Sequence, residues 1–244
     1  MSSRIPYKIL MDDPSFLIVD KSSGIPVIAE RSNNPVPGLF DRLVADYGEN
    51  LRLVHRIDKQ TSGLVIIAKS LEVQQYFTEL FMNREIDKYY LAFVEGSLQN
   101  EDWVGIDEPI FIKPNATTAS VHKKGRKAVT LYRVIESFGT ATLIECKLIT
   151  GRTHQIRVHM EYMGYPLLVD RLYGRREEFF LSDIKKRRYR IKDGELELPL
   201  ISRLTLHASR VVFKHPENKQ LIDVESPMPK DLNALLNQLR KLNR

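Results

Sequence analysis

Residues 16–20 (FLIVD) and 64–68 (LVIIA) are short apolar runs bounded by turn residues, Ser22-Ser23-Gly24 after the first and Ser62-Gly63 before the second. Runs of this length with flanking turn chemistry read as buried strands, too short for helices. Around them the period changes. Behind a loop rich in Asn, Pro and Gly at 31–38, Leu39, Leu43 and Tyr47 recur at helical spacing, and across 72–85 Val73, Phe77, Leu80 and Phe81 form one stripe. Residues 89–94, 129–134 and 141–149 read as strands, and leucines repeat at helical intervals over 232–242. Strands and helices are mixed, without the regular alternation of a doubly wound sheet, so the expected class is α+β.

Composition narrows the function classes. In 244 residues, 43% apolar content suffices for one core, whole or split by a cleft, and excludes intrinsic disorder. A single domain over 1–244 is expected, closed by a helix at about 230–242. Cys146 is the lone cysteine, which rules out an internal disulfide scaffold and zinc sites built on two or more thiolates. No apolar run approaches the roughly 20 residues that span a bilayer, and the first residues lack a secretory apolar stretch. A cytoplasmic protein without membrane attachment is the expectation.

The net charge is +6, and its distribution is uneven. Residues 171–190 hold eight Lys or Arg against three acids, a local excess of five. Two readings stand open: a solvated face, or a phosphate-contacting patch with Tyr173, Phe179, Phe180 and Tyr189 interleaved as stacking surfaces.

Two stretches carry candidate chemistry. HRIDKQTSG at 55–63 crowds an imidazole, a guanidinium, a carboxylate and two hydroxyls into nine residues just before a buried strand. Such loops hold side chains rigidly and within reach. Asp58 and Thr61-Ser62-Gly63 are equally suited to plain turn chemistry. TGRTHQIRVHM at 150–160 reads as a turn at Gly151, a cap at Thr153 and a helix with Ile156, Met160 and Met163 on one face. Its start would offer N–H groups to an anion, with Arg152 and His154 beside it. His154 and His159 stand five apart, a poor same-face spacing for a metal.

These two motifs, HRIDKQTSG and TGRTHQIRVH, resemble the signatures of the RluA family of pseudouridine synthases. The resemblance extends to Asp20-Lys21-Ser22-Ser23-Gly24-Ile25-Pro26, to Lys88-Tyr89-Tyr90-Leu91-Ala92 and to Arg203-Leu204-Thr205-Leu206-His207-Ala208, in the family's order across about residues 9–227. It departs at Leu168-Val169-Asp170, where the family usually has small residues before the aspartate. The family's small preceding RNA-binding module is not expected, and the basic insert at about 171–200 is a candidate substitute for it.

The resemblance implies the pseudouridine synthase fold, a mixed and mostly antiparallel central sheet with flanking helices and loops, split by a catalytic cleft. It implies isomerisation of uridine to pseudouridine in ribosomal or transfer RNA, with no cofactor and no metal. Asp58 matches the catalytic aspartate, Arg157 the arginine that pairs with it, and Tyr90 the tyrosine that stacks on the base. Arg56 could hold the space a flipped base vacates. Lys21, Arg152 and His154, with Lys185, Lys186, Arg187 and Arg188 of the insert, are the expected RNA contacts. RNA is the expected partner and a monomer the expected state. The alternative is a non-catalytic RNA-binding or ribosome-assembly factor retaining the fold; a metal-dependent nuclease using His55, Asp58, His154 and His159 is a third reading.

Overall fold

A computed structural model describes residues 6–30, 36–114, 116–185 and 196–243. In chain order the elements are β1 (Tyr7–Asp12), β2 (Phe16–Lys21), α1 (Leu39–Tyr47), β3 (Arg52–Leu53), β4 (Ser62–Ala68), α2 (Leu71–Asn83), β5 (Asp87–Glu95), β6 (Val104–Asp107), β7 (Ile110–Ile112), β8 (Ala119–Val121), β9 (Val129–Ser137), β10 (Ala141–Leu148), α3 (Gln155–Tyr162), α4 (Leu181–Lys185), β11 (Leu206–Lys214), β12 (Leu221–Glu225) and α5 (Lys230–Leu242). The class is α+β, as expected. Where the sequence reads as one domain, the chain divides into two compact units, each assembled from two stretches.

The first unit comprises Met1–Tyr89 and His207–Pro227. Its strands run in the order β1-β2-β4-β11, with β3 beside β4 and β12 beside β11. The pairs β1/β2, β2/β4, β3/β4 and β11/β12 are antiparallel, and β4 with β11 is parallel, with His207 opposite Ser62 and Ala208 opposite Gly63. Every residue of β4 is buried, which is why its sequence is a continuous apolar run rather than an alternating one. Gly63 is required there: its φ is +110°, and a Cβ would stand 2.1 Å from the Ala208 carbonyl oxygen. The α2 stripe buries Val73, Phe77 and Leu80. Phe16, Phe77 and Phe213 meet edge-on, with centroids 5.1–5.8 Å apart. Of the α1 stripe, Leu39 and Leu43 are buried but Tyr47 is 40% exposed, a correction to the expected face.

The second unit comprises Tyr90–Leu206 and Met228–Arg244. Its strand order is β5-β10-β9-β6, with β10/β9 and β9/β6 antiparallel, and β7 with β8 forms a separate ribbon. The closing helix α5 buries Leu232, Leu235, Leu236 and Leu239 against Phe93, Leu143, Leu168 and Phe179. Phe179 is 1% exposed and pairs its backbone with Ile201, so it is a core residue and not the stacking surface the basic segment suggested.

Candidate active site

The loop that carries Asp58 is braced from several sides within the first unit. Thr61 N–H donates to the Asp58 carbonyl at 3.1 Å, closing a turn. Gly24 N–H donates to the Lys59 carbonyl at 2.9 Å, and Ser23 Oγ to the Gln60 carbonyl at 2.6 Å. Lys21 is fully buried, and its ammonium reaches the carbonyls of Ser22, Ile25 and Lys59 at 3.0, 2.7 and 3.1 Å. A buried cation needs such acceptors, and these three weld the turn after β2 to the Asp58 loop. Lys21, expected as a phosphate ligand, is instead fully buried and braces the loop from inside.

Two histidines hold the loop's flanks. His55 Nε2 accepts the Ile66 N–H at 2.9 Å, standing in for a strand partner just beyond the end of β3, while its ring packs on Phe81. Desolvation, with the charge of Lys88 nearby, lowers its pKa to about 3, so the ring is neutral with the proton on Nδ1. His207 Nε2 donates to the Ser226 carbonyl at 3.2 Å, which leaves Nδ1 to accept from Ser62 Oγ at 3.0 Å. Both ends of HRIDKQTSG are thereby fixed to a buried strand. Asp58 itself is half-buried and Arg56 is exposed.

In the second unit α3 is buried on all sides over Gln155–Met160, not on the single face its spacing suggested, and Met163 is 38% exposed. Its polar residues are satisfied by distant partners. Val129 N–H donates to Thr150 Oγ1 and Thr150 donates to Gln155 Oε1. The Gln155 amide donates to the Val129 carbonyl and to Thr130 Oγ1. Thr130 donates to His159 Nδ1, and His159 Nε2 donates to the Glu108 carbonyl at 2.9 Å. That chain fixes His159 as the neutral Nε2–H tautomer, and burial pushes its pKa down. The metal reading loses both ring nitrogens of His159 in this way. The helix cap is also corrected: no side chain caps α3 at its first residue, and Gln155 Oε1 instead reaches back to Arg152 N–H at 3.0 Å.

Arg157 is buried and makes a bidentate pair with Asp170, Nε to Oδ2 and Nη2 to Oδ1, both 2.7 Å. Asp170 also accepts the N–H groups of Leu172 and Tyr173 at 2.9 and 3.2 Å. The Arg157 guanidinium lies 4.9 Å from the Tyr173 ring centroid; the Tyr173 hydroxyl accepts from Ala119 N–H and meets His154 Nδ1 at 2.8 Å. Asp170 is thus the positioning residue that sequence reasoning missed as such. Its signal was slight, a single carboxylate after an apolar Leu-Leu-Val run. Tyr90 is buried at 9% exposure on β5, and Tyr89, on the opposite strand face, lies 5.4 Å beneath Arg210.

The basic segment divides. Arg176 bridges Glu95 at 2.9 Å and Asp183 at 3.1 Å, Arg175 reaches Glu95 at 3.6 Å, and Arg171 reaches Glu177 at 3.6 Å. Lys185 is exposed, and Lys186, Arg187 and Arg188 lie outside the described residues. A second basic stretch escaped the sequence reading. Residues 113–127 contain Lys113, Lys123, Lys124, Arg126 and Lys127 with no acid among them, and all five are exposed. The turn is rigid: Gly125 N–H donates to the His122 carbonyl at 2.7 Å, and Arg126 exchanges two backbone bonds with Ile110. Among the described residues its one ion pair is Lys127 with Asp107, at 3.9 Å. Arg152 Nε donates to the Lys127 carbonyl at 3.0 Å, so the turn borders the 150–159 motif.

Residues 15–162 match a family model described as RNA pseudouridylate synthase. The chain is 36% identical to the ribosomal large subunit pseudouridine synthase D of Nitrosomonas europaea, the match covering 98% of this chain and 67% of that one. It is 32% identical to the ribosomal large subunit pseudouridine synthase C of Vibrio parahaemolyticus, covering 99% and 72%. Among solved structures, human RNA pseudouridylate synthase domain containing 4 superposes with a TM-score of 0.72 at 24% identity, covering 95% and 92%, a likeness of fold.

Proposed function

The chain belongs to the RNA pseudouridylate synthase family, and from that premise we propose that it isomerises a specific uridine of large-subunit ribosomal RNA, with Asp58 as the catalytic carboxylate. The relatives named as ribosomal large subunit synthases D and C support that choice of RNA over transfer RNA. The observation that carries the assignment of Asp58 is its place on a loop pinned by Lys21, Ser23 and His55 to neighbouring backbone.

In the reaction the N1–C1′ bond breaks, the uracil turns, and C5 bonds to C1′; the C5 proton leaves and N1 gains one. Nothing is oxidised, so carboxylate and positioning groups suffice. Asp58 acts either by attack on the sugar or base or as base toward the ribose 2′ position. Arg157, whose guanidinium plane is set by the bidentate pair with Asp170, is the arginine that the family resemblance assigns to orienting the catalytic carboxylate. Tyr90 stacks on the uracil. The target base must leave its helix or loop, at a cost of a few kcal/mol, and exposed Arg56 fills the space it leaves.

RNA is held by the 122–127 turn with Lys113 and Arg152, and by Lys185 with its basic neighbours. Phosphate contacts of this kind release counterions and make affinity fall with salt. Among the described residues no helix is long and apolar enough to cross a membrane, in keeping with action where ribosomes are assembled.

The test uses RNA tritiated at uracil C5. The wild-type protein is expected to release tritium, and Asp58→Asn to bind RNA but release essentially none. Full release by that variant would remove Asp58 from the role. Binding by the wild-type protein without release from any ribosomal RNA would favour the assembly-factor reading instead.

A further inference from the structure

Away from the α3 network, the second unit carries an open pocket of about 640 Å³. One wall is three glycine turns, Gly96, Gly139 and Gly164, all with φ near +80°. The other is the segment that carries Arg175, Arg176, Ser182 and Asp183. Its size is that of a small-molecule site.

Its chemistry is mixed. Arg176 is committed between the carboxylates of Glu95 and Asp183. Arg175 is different: it reaches only a Glu95 already held by Arg176, at 3.6 Å, and its side chain is 68% exposed. Two cations and two carboxylates cancel, so a free multiply charged anion gains little here. Tyr165 presents an aromatic ring, packed at Gly96 where a Cβ would stand 3.5 Å from it. Thr140 lines the pocket, and its Oγ1, shielded from solvent, has no hydrogen-bond partner among the described residues, so a turn about χ1 would bring it to a ligand. A buried hydroxyl in that state costs stability unless something else satisfies it.

Resting on the reading above that the chain acts on RNA, we infer that this cavity seats one nucleotide of the substrate other than the uridine being isomerised. Its base lies against Tyr165 and bonds to Thr140 and Ser182, and its singly charged phosphodiester takes Arg175 from Glu95. Aromatic faces beside an arginine bind single-stranded nucleotides with little sequence preference. The site also connects to the candidate active site by backbone: Asp170 N–H donates to the Arg176 carbonyl, and Gly174 N–H to the Asp170 carbonyl. The loop 170–176 therefore ends in the cavity and begins at the carboxylate that orients Arg157.

The probes are a tetra-adenylate oligonucleotide, adenosine monophosphate and inorganic phosphate, titrated by calorimetry against the full chain and against Arg175→Gln, Tyr165→Leu and Thr140→Val. Thermal melting checks that each variant is folded. The oligonucleotide should bind, with inorganic phosphate at least tenfold weaker. Arg175→Gln and Tyr165→Leu should each weaken the oligonucleotide about 5- to 20-fold, and Thr140→Val a few-fold. In the tritium assay the same variants should raise KM for ribosomal RNA and leave kcat nearly unchanged. Oligonucleotide binding indifferent to all three folded variants, or equal competition by phosphate, would overturn the site. Because the oligonucleotide contains no uridine, its binding is readable even if no tritium is released. Intact tritium release with indifferent variants would remove the cavity proposal alone.

Discussion

The two basic stretches of the second unit differ in composition, one interleaved with acids and one without any, and in how their charge is used. In 171–185 the three arginines pair with carboxylates, with Glu177 and Asp183 of the same segment and with Glu95, 81 residues from Arg176. In 122–127 the cations stand on a hydrogen-bonded turn with a single loose ion pair among the described residues. The lesson is that a run of like charge describes a surface only after its partners are known.

If the contrast holds, the largest effect should come from Lys123, Lys124 and Arg126 together changed to Gln. RNA affinity at about 0.1 M salt should fall by one to two orders of magnitude, and the salt slope should become shallower by roughly 2.7, three phosphate contacts at about 0.9 each. Filter binding across a salt series measures both, and an unchanged slope would break the comparison. Arg176→Ala should instead cost about 2 kcal/mol of stability by leaving the nearly buried Glu95 carboxylate only the exposed Arg175 as a partner, with RNA affinity falling at most a few-fold as Arg175 is drawn to Glu95. Chemical denaturation beside the same binding assay separates the two outcomes.

Acid tests a related division between cations that face water and imidazoles kept neutral inside. The folded-state pKa values of His55 and His159 are held below the unfolded value, so their contribution is complete above about pH 6.5 and is lost as pH falls below it. At pH 5 the loss from His55 alone should be on the order of 2 kcal/mol, measured by denaturation at several pH values. A flat stability profile from pH 7 to 5 would contradict the neutral tautomers. Glu95→Gln sharpens the comparison further, since it releases Arg175 and weakens the hold on Arg176; RNA affinity should rise about two- to fivefold as stability drops. The smallest change is expected of Arg171→Ala, whose partner Glu177 is as exposed as Arg171 itself, with under about 0.5 kcal/mol lost on melting.

What the sequence made legible follows from locality. β2, β4, α2 and α5 were readable because their burial is written in their own residues, as short apolar runs or stripes. β1, β6, β7 and β8 were not, being short strands whose pairing is decided by neighbours. The division into two units was hidden because each is closed by a segment from the far end of the chain. In the candidate site the HRIDKQTSG and TGRTHQIRVH stretches stood out as patterns. The burial of Lys21, Gln155, Arg157 and His159 did not, because such residues are usually exposed and only carbonyls, hydroxyls and a carboxylate elsewhere in the chain make their burial tolerable.

The parallel pairing at Gly63 carries a consequence for synthesis. β4 is complete when residue 68 has been made, yet β11, which lies beside it, starts only at residue 206. At 5–20 residues per second the Ser62–Gly63 end of β4 would wait on the order of ten seconds for its partner, although β3 and His55 already cover residues 66–68. A protein assembled in this order has reason to depend on a holding factor near the exit tunnel, and truncations that end before β11 should aggregate rather than persist as a partial fold.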